Sequence, residues 1–361
     1  MKRNEKMRVL VAMSGGVDSS VAAMLLVEAG FCVVGVSMNL FTCNRIAASS
    51  CCSPLDRRDA AEVCRELGIE HHVLDCRREF SEEVIAPFVS EYLKGRTPSP
   101  CISCNERIKF RILLNRASFF GADVIATGHY ARIEYDGGVY HLAKGSDELK
   151  DQSYFLYMLG QSELSRILFP VGGLSKKEVR KLANERGIAT CEKPESQEIC
   201  FIPDGDYAAF VETRAGAVLK GPGDFVDAQG RVLGRHSGIH AYTIGQRRGL
   251  GFGIGKRQYV VAIDPLKNEV VLGSGDMLMK KGMLISKVCW TMEKHKKGGR
   301  ADVKIRSMDR GTPAKIMPEG EGLVKVVFDR PVRAVAPGQV AVFYEGNEVL
   351  GGGFIERAFD D

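Results

Sequence analysis

The first two hundred residues alternate between two spacings of apolar positions. Arg8–Met13, Cys32–Met38, Glu70–Leu74 and Val124–Thr127 are short apolar runs with the character of buried strands. Between them Val17–Ala29, Asp56–Leu67, Phe80–Lys94 and Asn105–Phe120 carry helical spacing, with Gly30 and Gly68 as stops. Helices connecting continuous apolar strands predict crossover units and a parallel sheet, hence an α/β domain. Arg132–Tyr135 and Val139–Ala143 flank Asp136-Gly137-Gly138 and predict a hairpin. Ser175 followed by Glu178 is a capping box that opens a helix through Arg186.

Beyond about Asp206 glycine becomes frequent and helical spacing gives way to short strands: Tyr259–Ile263, Glu269–Leu272, Met283–Val288, Val303–Arg306, Leu323–Phe328, Val340–Tyr344 and Gly351–Ile355. Such spacing predicts a small antiparallel barrel or sandwich. The expected division is therefore residues 1–206, a small central domain at 207–277, and a β domain at 278–361, with no internal repeat.

Composition narrows the class. The 361 residues are 45% hydrophobic and 26% charged, which suits an ordinary globular chain of two or three domains. The apolar runs are too short to cross a bilayer, and the amino terminus lacks a secretory leader, so no membrane partner and a cytoplasmic location are expected. Eleven scattered cysteines are then read as packing residues, ligands or catalysts rather than bridges. Cys32 and Cys64 read as core, and Cys51-Cys52 receives no role. The net charge of +5 is weak support for an anionic partner.

Ser14-Gly-Gly-Val-Asp-Ser-Ser20 joins the first strand to the first helix. Adjacent glycines let backbone N–H groups converge on an anion, and the helix N-terminus adds partial positive charge. Ser14, Ser19 and Ser20 offer hydroxyl donors, while Asp18 suits a magnesium ion or a helix cap. The string lacks the Gly-Lys-Ser/Thr ending of a Walker A loop and the spacing of a dinucleotide loop. It resembles the loop of ATP-splitting, adenylating enzymes, which release pyrophosphate.

Cys101-Ile-Ser-Cys104 precedes a predicted helix, where a thiolate at Cys104 would be stabilised, and Cys200 lies in Ile199-Cys-Phe-Ile202. These strings, with Gly95-Arg-Thr-Pro98, Ile108-Lys-Phe110, Ala126-Thr-Gly-His129-Tyr130, Lys150–Leu156, Tyr242–Gly251, Pro337-Gly-Gln339 and Leu350–Gly353, occur in one order along the chain. Together they resemble the tRNA-specific 2-thiouridylases, the MnmA family, over essentially the whole length. The resemblance implies an adenine nucleotide α-hydrolase-like (PP-loop) domain, a small central domain and a C-terminal antiparallel β-barrel. It implies ATP-dependent adenylation of the C2 oxygen of the wobble uridine in tRNAs for Lys, Glu and Gln, followed by sulfur transfer.

The same resemblance assigns residues. Ala12, Met13, Ser14, Gly15, Gly16, Val17, Asp18 and Ser19 would hold ATP, with Mg2+, beside Met38 and Gly128. Cys200 would receive a persulfide from an upstream sulfur carrier or cysteine desulfurase, and Cys104 would either release the sulfide or close a disulfide with Cys200 after transfer. Ser99, Pro100, Cys101, His129, Lys150, Asp151, Gln152, Arg306, Ser307 and Gln339 would meet tRNA. Cys101 stands where many relatives carry Asp, so Cys101, Cys104 and Cys200 also form a candidate set for a [4Fe–4S] cluster with one open iron. Two rival readings are a ligase or amidotransferase built on the same loop, and an RNA-binding module in which Cys101 and Cys104 help to hold zinc.

Overall fold

The computed structural model describes residues 7–41, 54–191, 193, 199–251, 257–320 and 322–360. Cys51-Cys52 lies outside them. The chain forms two compact units: residues 1–84, 101–205 and 347–349 make the first, and residues 85–100, 206–346 and 350–361 the second.

The first unit is built on five parallel strands: β1 (Arg8–Ala12), β2 (Cys32–Asn39), β3 (Glu70–Asp75), β4 (Val124–Ala126) and the two-residue β7 (Ile167–Leu168). Their order is β3-β2-β1-β4-β7, so the sheet reverses direction of growth between β1 and β4. The expected hairpin is β5 (Ala131–Asp136) with β6 (Val139–Lys144). Helix α1 (Val17–Glu28) buries Val17, Val21, Ala22, Ala23, Met24 and Leu26 among β1, α2 (Pro54–Glu66) and α3 (Lys176–Glu185). The alanines let α1 and α3 approach closely, and the capping box at Ser175 forms as its spacing requires.

Two long expected helices are broken. Phe80–Lys94 resolves into a helix at Arg77–Phe80, a π-helix at Ser81–Ile85 and a helix at Ala86–Leu93. Asn105–Phe120 is a π-helix over Cys104–Phe110, an α-helix over Arg111–Ala117 and a 3₁₀ turn at Ser118–Phe120. Cys32, expected in the core, is exposed because it opens β2 at the end away from the pocket described below. Cys64 is buried, which raises its thiol pKa to about 11.

In the second unit, the central sheet has the order β10-β11-β8-β9: β8 is Gly223–Val226, β9 Val232–His236, β10 Tyr259–Asp264 and β11 Glu269–Gly273. Phe225, Tyr242, Val260, Val270 and Leu272 form its core. The remaining strands are β12 (Met279–Trp290), β13 (Gly299–Lys304), β14 (Thr312–Pro318), β15 (Val324–Arg333), β16 (Val340–Glu345) and β17 (Glu348–Phe359). They run β12-β15-β14-β13-β16-β17, and β17 returns to β12. The spacing left a barrel or a sandwich open; the closure of β17 on β12 makes it a barrel, which removes free edges. Its interior is filled by Met283, Ile285, Val326, Ala341, Phe343 and Ile355. No helix among the described residues is long and apolar enough to cross a membrane.

Candidate active site

The carboxyl ends of β1, β2 and β4 meet at the switch point of the parallel sheet, where open α/β sheets present a crevice. A pocket opens there, lined by Ala12, Met13, Ser14, Asp18, Ser19, Ser37, Met38, Asp56, Arg57, Lys109, Thr127, Gly128, His129 and Gln152. The loop from β1 enters α1 through Gly15 at φ +71°, and a Cβ there would lie 2.1 Å from the Asp56 carbonyl oxygen. Glycine is therefore required on both conformational and steric grounds. Gly128 approaches the other side: a Cβ would come within 2.7 Å of the backbone of Asp18 and Ser19. Gly16 is the N-cap of α1 with no side-chain cap, so the first turn of a twelve-residue helix supplies N–H donors to the loop.

The serines divide. Ser14 is exposed and its N–H and hydroxyl meet Ser19 Oγ at 3.2 and 3.1 Å. Ser19 Oγ donates to Gly16 O at 2.9 Å and still lines the pocket. Ser20, expected to face an anion, is fully buried; it donates to Gly16 O at 3.0 Å and accepts from Thr190. The helical turn rotates it into the interior, so it stiffens the loop. Asp18 does not cap α1. Its carboxylate takes Lys176 Nζ at 2.7 and 2.8 Å and the Tyr130 hydroxyl at 2.6 Å.

Three features of this pocket were missed from sequence. Lys176 is buried as the first residue of α3, and its only local signal is its place after the N-cap Ser175. Lys193 Nζ meets Gly15 O at 3.0 Å and Asp56 and Asp59 at 2.5 Å each. Burial pulls the Lys193 pKa down, but the two carboxylates outweigh it and the net shift is upward. Ser37 Oγ donates to Met13 O at 2.8 Å, which leaves His71 Nε2, 2.9 Å away, as the donor to Ser37.

Other assigned residues are held internally. Asp151 accepts from Gly145 N–H, Ser153 N–H and Ser153 Oγ, tying a turn. Gln152 Oε1 accepts from Tyr130 N–H at 2.9 Å, and Lys150 lies half-buried just before them. His129 Nδ1 meets Thr127 Oγ1 at 2.7 Å, and its ring packs in a triangle with Phe110 and Phe169. Burial, helped by the Lys109 charge, holds the His129 pKa well below the ordinary histidine range.

The thiols differ in setting. Cys101 is exposed, Cys104 buried and Cys200 half-buried. Pro100–Ser103 is already helical, so the first-turn donors belong to that turn and Cys104 instead opens the π-helix. π-Helical segments occur frequently at functional sites. Phe201, next to Cys200, packs edge-on against Phe80 at 5.6 Å, and the Arg77–Phe80 helix packs on the π-helix that begins at Cys104. Among the described residues no group of three or more His, Cys, Asp or Glu side chains is placed to hold a metal ion, so the three thiols do not make a cluster site in this arrangement. In the second unit, Arg306 is exposed with Nη2 3.4 Å from Ala334 O, and Ser307 is half-buried beside it. Ser99 and Pro100 are half-buried, and Gln339 faces the chain before them.

Comparison with known proteins bears on this geometry. Residues 7–204 match the family model described as tRNA methyl transferase HUP domain, 209–274 the tRNA methyl transferase PRC-barrel domain, and 280–355 the Aminomethyltransferase beta-barrel domain. The chain is 46% identical to the tRNA-specific 2-thiouridylase MnmA of Geotalea uraniireducens, over 99% of this chain and 97% of that one. The chain belongs to the tRNA-specific 2-thiouridylase family. The MnmA of Geobacter metallireducens is 45% identical over the full length of both chains. That of Carboxydothermus hydrogenoformans is 49% identical over 97% of this chain and 98% of its own. The 2-thiouridylase likeness thus spans the pocket, the thiols and both β domains.

Proposed function

We propose that the chain is an ATP-dependent tRNA-uridine 2-sulfurtransferase acting on the wobble uridine of tRNAs for Lys, Glu and Gln. What carries this reading is an anion-binding loop at the sheet's switch point in a chain 45–49% identical, over nearly its whole length, to tRNA 2-thiouridylases. The Ala12–Ser19 loop and the first turn of α1 receive the phosphates of ATP, Met38 packs on adenine, and Gly128 lines the nucleotide. Lys176 and Tyr130 fix Asp18 beside the phosphates. Magnesium enters with ATP; because Asp18 is already engaged by Lys176, no protein ligand is assigned to the ion.

The uracil carbonyl oxygen is a poor leaving group until it is adenylated. O2 attacks the α-phosphorus, pyrophosphate leaves, and the N3 proton is lost. The outer sulfur of a persulfide on Cys200 then attacks C2, and AMP departs with the oxygen. Cys104 attacks the inner sulfur of Cys200, leaving sulfur on the base and a Cys104–Cys200 disulfide that an external thiol reduces; the N3 proton returns with the thiocarbonyl. A thiolate nucleophile suits this step near neutral pH. The persulfide comes from a cysteine desulfurase or sulfur carrier.

Residues 1–206 activate the base, while 207–277 and 278–361 grip the RNA through Arg306, Ser307 and the basic stretch 294–300. Ser99, Pro100, Cys101, His129 and Lys150–Gln152 adjoin the base, which must leave the anticodon stack to react. A tRNA substrate places the enzyme in the cytoplasm. No step is routed through a [4Fe–4S] cluster, since among the described residues no group of three His, Cys, Asp or Glu side chains is placed to hold a metal ion.

The test is in vitro thiolation of a tRNA transcript with ATP and a persulfide donor, following pyrophosphate and 2-thiouridine. Pyrophosphate release that requires tRNA is expected. Release driven by a small acid or amine instead would favour the ligase reading, and RNA binding with no ATP turnover would favour the binding module.

A further inference from the structure

Three of the sequence strings converge on one stretch of backbone within the second unit. Thr97 N–H donates to Pro337 O at 2.9 Å. Gln339 Nε2 donates to Thr97 O at 3.1 Å and Pro98 O at 3.2 Å. Both neighbours are carbonyls, so only the NH2 end of the amide can face them, and both of its hydrogens are used. Gln339 is itself fixed, because its main-chain carbonyl accepts from Ile355 N–H at 2.8 Å on β17. Arg96 adds a second hold: Nη1 lies 2.7 Å from Glu356 Oε2, and Nε lies 2.7 Å from Glu91. Thr243, in the Tyr242–Gly251 string, meets Thr97 Oγ1 at 3.3 Å. A Cβ on Gly338 would come within 2.9 Å of Thr97 O, so the two segments are in backbone contact.

We propose that Gln339 is a positioning residue that sets the path of Thr97-Pro98, and so of the Ser99-Pro100 step that follows, rather than a residue that grips RNA. The proposal rests on the reading above that Ser99–Cys101 adjoins the target base. A side chain whose donors are spent on two main-chain carbonyls of its own protein has none left for a phosphate or a base. Its work is to hold a proline-flanked, helix-free segment that has few backbone donors of its own, since Pro98 and Pro100 carry no N–H. The barrel thereby determines the geometry of a segment that lies more than two hundred residues away in sequence.

The test is Gln339→Met, similar in length, uncharged and without a donor, with Gln339→Glu as a second variant of matching shape should the first fail to fold. Two measurements are made on the full chain. Hydrogen exchange at the Thr97 amide, without RNA, is expected to accelerate at least severalfold. In tRNA-dependent pyrophosphate release, kcat is expected to fall about tenfold to a hundredfold, as for a small misplacement of reacting groups, with KM for tRNA within about twofold. A rise in KM at unchanged kcat, with Thr97 exchange unaltered, would overturn the proposal in favour of direct RNA contact. Should wild-type enzyme release no pyrophosphate with tRNA, the functional reading fails, while the exchange measurement still decides whether Gln339 holds this segment.

Discussion

Replacing Gly128 by alanine probes how rigidly the nucleotide loop is built. The added carbon would sit 2.7 Å from the Asp18 carbonyl carbon and the Ser19 nitrogen, and 2.9 Å from Asp18 O. Ordinary carbon contacts lie at about 3.5–4.0 Å, so β4 and the first turn of α1 must separate by about 0.8 Å. Neither side can yield as a flexible side chain would, because every near atom is backbone. Overpacking of this kind costs about 1–3 kcal/mol, which lowers Tm by about 2–12 °C for a unit of this size. In the function proposed above, the displaced turn carries the donors to the ATP phosphates. Loss of one charge-assisted hydrogen bond, about 1.5–3 kcal/mol, weakens ATP binding roughly 10- to 150-fold. Gly30→Ala is the control: its φ is +85° with no atom within 4 Å, so it should lose stability through backbone strain and leave ATP affinity intact. Calorimetric titration with ATP and thermal melting read both quantities. A Gly128→Ala protein that binds ATP within about twofold of wild type, or a Gly30→Ala protein that loses affinity equally, would refute the reasoning.

Other outcomes follow from the same geometry. In a double-mutant cycle of Asp18→Asn and Lys176→Met, urea unfolding should give a coupling of about 0.5–3 kcal/mol, and strict additivity would mean that the pair is not formed. Cys104→Ala and Cys200→Ala should abolish thiolation yet retain tRNA-dependent pyrophosphate release, while Cys101→Ala keeps both; equal loss at all three would point to a cluster. Burial holds the His129 pKa in the fold well below its unfolded value, so the unfolded chain binds more protons below about pH 6.5 and stability falls as pH drops through that range. His129→Gln should reduce the loss of Tm between about pH 6.5 and 5, although His71 and His236, shifted the same way by burial, keep part of it. An unchanged slope would place the effect elsewhere.

Much of the parallel sheet was legible because buried strands and amphipathic helices differ in period. The π-helices were not, since five to seven residues cannot distinguish a π from an α repeat. Strand β14 escaped notice because Pro313 and Pro318 within it argue against a strand, and β7 because two residues carry no period. The helix Tyr207–Ala215, with its Asp206 cap, fell in a stretch read only for glycine content. In the site, the loop and its glycines were evident from local spacing. The partners of Asp18, Asp56 and Thr97 were not, because Lys176, Lys193 and Gln339 lie 137 to 242 residues from the atoms they hold. Ser20 shows the converse limit: the string names the residue type, and only the turn of α1 decides which way it faces.

Residues 85–100 belong to the second unit although the ribosome makes them before most of the first. Arg96 must wait for Glu356, 260 residues later, and Thr97 for Pro337. The nascent chain therefore carries this stretch unfinished until translation is almost complete, and a product truncated before β17 would lack Glu356, the partner of Arg96. No single cut separates the units, so exchange of the C-terminal barrel between relatives would have to carry this short segment with it.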